Sequence, residues 1–226
     1  MGSDDLTRAE LAACIDHSVL GPAATPSDVR LACSQAMGEG FAALCVNSAH
    51  APLALAELKP SQIPVAVTIG FPLGACSSSS KKFEAREALE LGARELDVVM
   101  ALGALRAGQD QIVQDELGSM AQQCAQHGAL LKVILETCLL ESDELLRAID
   151  LACAAGADFV KTSTGFGSAG ASIELVSILR QRAPAHVGVK AAGGIRTLKD
   201  AKALLKAGAS RLGCSASMAI LAELGT

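Results

Sequence analysis

Two successive apolar runs, Phe159-Val160-Lys161-Thr162-Ser163-Thr164-Gly165-Phe166 and Val187-Gly188-Val189-Lys190-Ala191-Ala192-Gly193-Gly194-Ile195-Arg196-Thr197, each carry one lysine and open into a glycine-containing loop. A short apolar run bounded by turn residues reads as a buried strand. One helical pattern, Ser172 to Arg182, separates the two runs, and another, Leu198 to Ala207, follows them. Strand, loop, helix, strand is the crossover unit of a parallel sheet. A buried lysine is costly unless it is paired or has lost its proton. Two on neighbouring strands therefore call for a chemical reason.

The same alternation extends in both directions. An opening helix, Leu6 to Cys14, precedes strand Ile15 to Leu20. A helix capped at Thr25-Pro26-Ser27-Asp28 runs to Gly38-Glu39-Gly40. Strand Ala42 to Asn47, helix Ala49 to Leu58 and strand Val65 to Gly70 come next. A Gly-, Pro- and Ser-rich loop, Phe71 to Ser79, leads to helix Lys82 to Leu91. Strand Glu95 to Met100, a turn at Gly103 to Gly108 and helix Asp110 to His127 follow. Strand Leu130 to Glu136, helix Ser142 to Ala155 and strand Asp158 to Ser163 reach the first lysine run. Strand Arg211 to Ser215 and helix Ser217 to Leu224 close the series. Three helices end in Gly-Ala (Gly92-Ala93, Gly156-Ala157, Gly208-Ala209), which fits a left-handed C-terminal cap. Eight strand–helix units with near-continuous apolar strands imply an α/β fold, a single-domain (β/α)8 TIM barrel over residues 1–226. Residues 1–14 then form an extra N-terminal helix packing on the barrel. A doubly wound open sheet would more often carry GxGxxG after its first strand, and none is there.

Composition narrows the function. Half of the 226 residues are hydrophobic, Trp and Tyr are absent, and there are five Phe. The core is aliphatic and offers little for stacking bases. Net charge is −5 with no long run of one sign, so no nucleic-acid surface is expected. Eight cysteines show neither CxxC nor His/Cys metal spacing, and most, such as Cys14, Cys33, Cys124, Cys153 and Cys214, sit inside apolar runs. They read as reduced thiols in a cytoplasmic protein without a metal site. Met1 to Glu10 is polar and acidic, unlike a signal peptide. No apolar stretch reaches the roughly 18 residues of a membrane span.

In such a barrel the working groups gather at the C-terminal ends of the strands. Asp16, Cys45, Asp97, Lys132, Lys161 and Lys190 fall within strands 1, 2, 4, 5, 6 and 7. Alternate residues of a strand share a face, so charges on the inward face would meet at the centre. One such charge usually ends in a structural ion pair; several in one barrel point to a site. A free lysine has a pKa near 10.4, so about 1 in 2,500 is neutral at pH 7. Adjacent strands lie about 4.8 Å apart. The Lys161 and Lys190 amines can then push one another toward the neutral, nucleophilic form, with burial adding the rest. That is the requirement of imine chemistry on a carbonyl compound, with Asp97 the natural proton carrier. The loops Ala192-Gly193-Gly194-Ile195 and Gly213-Cys214-Ser215-Ala216, with Gly165 and Gly167, suit a phosphate group. Lys81-Lys82 reads as a solvated helix start, Cys45 as a plain buried thiol, and His17 as a support behind Asp16.

These stretches closely resemble the deoxyribose-phosphate aldolase family over nearly the whole chain. The resemblance is carried by Ile15-Asp16-His17, Cys45-Val46-Asn47, Ile69-Gly70-Phe71-Pro72-Leu73-Gly74, Glu95-Leu96-Asp97-Val98-Val99, Lys132-Val133-Ile134-Leu135-Glu136-Thr137 and, most specifically, the two lysine runs. It implies a class I aldolase that splits 2-deoxy-D-ribose 5-phosphate into D-glyceraldehyde 3-phosphate and acetaldehyde, in deoxyribonucleotide catabolism, with no cofactor. Lys161 would form the Schiff base, Lys190 would tune it, and Asp97 would move protons with Lys190 and a water. Asp16, Cys45, Lys132 and Thr162 would contact substrate or support those that do. Gly165, Gly193, Gly194, Ser215 and Ala216 would hold the phosphate. The family often forms dimers, so a homodimer or higher homo-oligomer is expected, with sugar phosphate and aldehydes as the small-molecule partners. The chain departs from the pattern at Ala101, Ser48, Ala192, Cys214 and Ala216-Ser217. The rival readings are another Schiff-base sugar-phosphate enzyme of transaldolase type, and a non-catalytic phosphate-binding barrel.

Overall fold

The computed structural model describes residues 6–224. Eight parallel strands close into a barrel in sequence order: β1 (Ile15–Val19), β2 (Ala43–Asn47), β3 (Val65–Ile69), β4 (Glu95–Val99), β5 (Leu130–Ile134), β6 (Phe159–Lys161), β7 (Gly188–Ala192) and β8 (Arg211–Cys214), with β8 pairing back to β1. Around it lie α1 (Arg8–Ala12), α2 (Pro26–Glu39), α3 (Ala51–Leu58), α4 (Ser78–Leu91), α5 (Leu102–Arg106), α6 (Asp110–Gln126), α7 (Ser142–Ala154), α8 (Ile173–Arg182), α9 (Leu198–Lys206) and α10 (Ser217–Ala222).

Local chemistry starts and stops these helices. Thr25 caps α2 by accepting from the Asp28 N–H, and the Asp28 carboxylate accepts back from the Thr25 N–H. That reciprocal cap satisfies two backbone donors that the first helical turn leaves over. The three Gly-Ala stops behave as the sequence implies: Gly92, Gly156 and Gly208 take φ of +113°, +91° and +113°. Arg8 ties α1 down by bonding Glu39 of α2 and the Leu221 carbonyl of α10. Of the 1–14 segment expected as an N-terminal helix, residues 1–5 lie outside the described residues.

The strand faces divide sharply. Outward residues such as Leu44, Val67, Leu96, Val133, Val160 and Leu212 are fully buried under the helices. Inside a typical barrel of this class branched aliphatics fill the layers. Here the inward positions include Asp16, Asp97, Lys132, Lys161 and Lys190, each at most 2% exposed. Register explains their meeting, because Asp97 lies opposite Lys132, and Lys161 opposite Lys190, across neighbouring strands.

Three expectations need correction. The segment Gly103 to Gly108 is not a simple turn, because Leu102–Arg106 is helical, with Leu102 and Leu105 buried one turn apart and the Leu105 N–H on the Ala101 carbonyl. Helix α4 starts at Ser78 rather than Lys82, since Ser77 caps it through the Ser80 N–H. In consequence Lys81 is not a solvated residue: it is fully buried inside the first turns of α4. Its ammonium donates to the Glu116 carboxylate of α6 and to the Val99 carbonyl, both at 2.8 Å.

Candidate active site

The strands deliver three carboxylates and four cationic side chains to one buried network. Asp97 sits at its centre. Its Oδ2 accepts from the Lys161 and Lys190 ammonium groups at 2.7 Å each, and its Oδ1 accepts from Lys132 at 2.9 Å. Asp16 Oδ2 accepts from Lys132 at 2.9 Å and from Lys190, while its Oδ1 takes Arg211 Nη1. Glu95 pairs with Lys132 and, at 3.4 Å, with Arg211. Gly213 faces the same interior, and a Cβ there would meet Lys190 Cε at 3.0 Å. A residue without a side chain is what lets the lysine reach the centre.

Burial opposes charge on Asp16, Asp97, Arg211 and the three lysines, and the partners decide the outcome. For Asp97, burial is outweighed by Lys132, Lys161 and Lys190, which hold its carboxyl well below the usual range. Asp16 is likewise lowered against burial by Lys132, Lys190 and Arg211. Lys132 and Lys190 are raised, because their carboxylates overcome burial. Lys161 goes the other way: burial lowers it, Asp97 recovers part, and Lys190 lowers it again. Burial is the largest cause, and the neighbouring Lys190 adds to it. Burial, and then Asp97, push the Cys45 thiol up to about 11. It is a protonated thiol at neutral pH, 3.8 Å from Asp97 Oδ2.

A cavity of about 490 Å³ opens at the C-terminal ends of the strands. Of the three interior lysines, Lys161 alone lines it. Gly165, Gly193, Gly194, Ser215 and Ala216 line the same cavity, so the loops after β6, β7 and β8 do converge on the amine. Gly193 and Gly194 have φ of +87° and +80°, a region that favours glycine. A Cβ on Gly170 would strike the Gly193 carbonyl, so the two loops touch through backbone.

Thr162 is not part of the cavity wall. Its Oγ1 donates to the Ala192 carbonyl and accepts from the Ala192 N–H, both at 3.0 Å, stitching β6 to β7. His17 faces away from Asp16, stacks on Phe41 and bonds Gln35 and Ser217, bracing the start of α10. Four residues had escaped the sequence reading as site members. Arg211 and Glu95 open their strands, where an exposed edge is the usual expectation. Thr164 and Arg196 line the cavity. Thr164 is held by Glu136, a buried carboxylate at φ +47°, through its N–H at 3.2 Å and its hydroxyl. The shared parity of Glu95 with Asp97 was the available signal for Glu95.

A closed parallel barrel whose mouth opens onto a buried, surplus amine has the layout of a carbon–carbon lyase that works through an imine. The chain belongs to the DeoC/LacD family of aldolases, whose sequence profile matches residues 11–222. It is 44% identical over 207 residues to a deoxyribose-phosphate aldolase of Clostridium novyi, covering 92% of this chain and 93% of that one. With a deoxyribose-phosphate aldolase of Bacillus cereus it shares 45% over 211 residues, 93% of this chain and 94% of the other. Among solved structures, a putative deoxyribose-phosphate aldolase from Coccidioides immitis superposes with a TM-score of 0.92 at 39% identity, covering 96% and 86% of the two chains. The deoxyribose phosphate aldolase of Aeropyrum pernix, described as a unique tetramer, gives 0.91 at 34%, covering 97% and 93%.

Proposed function

We propose that this chain is a class I aldolase that reversibly cleaves 2-deoxy-D-ribose 5-phosphate into D-glyceraldehyde 3-phosphate and acetaldehyde. One observation carries the reading: Lys161 is the interior amine that reaches the cavity, and its affinity for a proton is lowered while those of Lys132 and Lys190 are raised. Neutral Lys161 Nζ attacks the aldehyde carbon of the open-chain sugar, and loss of water gives a protonated imine. The imine takes up the electrons of the C2–C3 bond as the C3 hydroxyl loses its proton and glyceraldehyde 3-phosphate departs. The resulting enamine is protonated on carbon, and hydrolysis releases acetaldehyde and frees Lys161. Asp97 touches Lys161 and Lys190 through one oxygen, which suits it to pass protons between them. Lys190 stays a cation and disfavours a second charge on Lys161.

The loops at Gly165, Gly193, Gly194, Ser215 and Ala216 hold the phosphate, with Arg196 as the charged group at the rim. The family relatives named for deoxyribose phosphate support that substrate. Eight free cysteines support a reducing cytoplasm. The Aeropyrum pernix relative, described as tetrameric, supports a homo-oligomer. Among the described residues no helix is long and apolar enough to cross a membrane.

The test is direct. Purified protein, assayed in EDTA with 2-deoxy-D-ribose 5-phosphate, releases glyceraldehyde 3-phosphate and acetaldehyde in equal amounts. Cleavage of other sugar phosphates with none of this substrate would refute the assignment.

A further inference from the structure

Six of the seven interior charges close a ring. Asp97, Lys190, Asp16, Arg211, Glu95 and Lys132 follow one another, each carboxylate between two cations, and Lys132 returns to Asp97. A cross-contact at 2.9 Å joins Lys132 to Asp16. Three carboxylates meet three cations, so the ring is neutral without Lys161. Lys161 hangs on Asp97 as the seventh group, sharing an oxygen that already serves Lys190.

The lower arc of the ring is Arg211 and Glu95. They begin β8 and β4, at the end of the barrel opposite the loops, and neither lines the cavity. Phe159 covers Arg211, with the guanidinium carbon 5.5 Å from the ring centroid. The Glu95 and Arg211 side chains are 4% and 15% exposed, so both charges sit in a medium where charge is weakly screened. Two such charges are expensive to bury, and neither reaches substrate.

We propose that Arg211 and Glu95 are positioning residues that fix the charge state of Lys161 from the barrel floor, Arg211 supplying the cation that completes a neutral ring and leaves Lys161 without a carboxylate of its own. The inference rests on the reading of Lys161 as the nucleophile. Removing the Arg211 cation leaves the ring one negative charge in excess, which draws a proton to Lys161. Removing the Glu95 anion leaves one positive charge in excess, which drives the proton off. The groups acting directly on Lys161 are Asp97 from β4, Lys190 from β7 and the Cys45 thiol from β2, with Lys132 from β5 and Asp16 from β1 behind them on Asp97 and Lys190. Glu136 beyond them is engaged by Thr164, and Arg196 stands at the cavity rim. All of these stay in place in the variants below.

The experiment follows reductive ethylation of Lys161 by acetaldehyde and cyanoborohydride, site-resolved by mass spectrometry, across pH. Labelling needs the neutral amine, so its rate climbs with pH through an acid limb set by Lys161. Arg211→Met should move that limb up by about one pH unit, slowing labelling below it about tenfold. Glu95→Gln should move it down by a similar amount and speed labelling. The double variant restores neutrality and should return the limb to its original pH, and Arg211→Lys should leave it there. A structural role alone would lower stability without opposite shifts. Shifts of the same sign, or none, overturn the proposal. If Arg211→Met does not fold by circular dichroism, Glu95→Gln and Arg211→Lys decide: a downward shift in the first with none in the second supports it, and any other result overturns it. Absence of Lys161 labelling in the unsubstituted protein would instead refute the aldolase reading itself.

Discussion

Lys81 and Lys161 are both buried lysines with a carboxylate at hydrogen-bond distance, and they serve opposite ends. Lys81 lies between α4 and α6, matched one-to-one with Glu116, whose second oxygen accepts from Ser78 at 2.6 Å. It also props the β3–α4 loop, since a Cβ on Gly70 would meet Lys81 Cε at 2.9 Å. Among the described residues, Lys161 shares its one bonded carboxylate with Lys132 and Lys190. Burial alone therefore does not distinguish the two amines. The ratio of cations to carboxylates around them does, and the network around Asp97 holds four cations to three carboxylates.

The strongest way to break the contrast is to remove the surplus amine. Lys161→Arg keeps a cation on Asp97 and removes the proposed nucleophile, so cleavage should fall by about 10⁶-fold, the scale seen on deleting a covalent nucleophile. The thermal unfolding midpoint should move little. Asp97→Asn strips the carboxylate that three ammonium groups share, and kcat should drop about 10²- to 10⁴-fold. Urea unfolding of the same variant should show a loss of about 3–5 kcal/mol, as for a broken buried pair.

The matched pair should respond differently. Lys81→Met leaves the Glu116 carboxylate buried without a cation, at about 3–5 kcal/mol of stability, with kcat close to unchanged. Adding Glu116→Leu should recover most of that loss in urea unfolding. If Lys81→Met instead abolished turnover in a folded protein, the division between matched and surplus lysines would fail.

The smallest expected effect is the pH response. The reacting form of Lys161 is neutral and its folded-state pKa is lowered, so kcat/KM should rise with pH about tenfold per unit below that pKa. In the proposed mechanism Lys190 acts as a cation and its pKa is raised, so its loss of a proton should set the alkaline decline. A kcat/KM profile that falls as pH rises through the neutral range would contradict both assignments.

Much of this was legible in the chain because parallel barrels encode themselves simply. Most strands are largely apolar, and parity together with register brings Asp16, Cys45, Asp97, Lys132, Lys161 and Lys190 to one interior. What stayed hidden depends on partners far away in sequence. Lys81 looked like half of a solvated Lys-Lys pair because Glu116 lies 35 positions along, on another helix. Helix α5 was obscured by glycines at Gly103 and Gly108, and the start of α4 by a serine run that reads as a loop until Ser77 is seen capping it. Arg211 bonds Asp16 across 195 positions, through the β1–β8 closure, which only the finished barrel reveals. Thr162 sits beside Lys161 in sequence, yet its hydroxyl is spent on the Ala192 backbone.

The measurement that bears most directly on the surplus-amine reading is reductive trapping at neutral pH. The protein is treated with acetaldehyde and borohydride, digested and mapped by mass spectrometry. A single ethyl group on Lys161, with Lys132, Lys190 and Lys81 unlabelled, is the expected result. Label on Lys190 or Lys132 in place of Lys161, or no interior label at all, would contradict it.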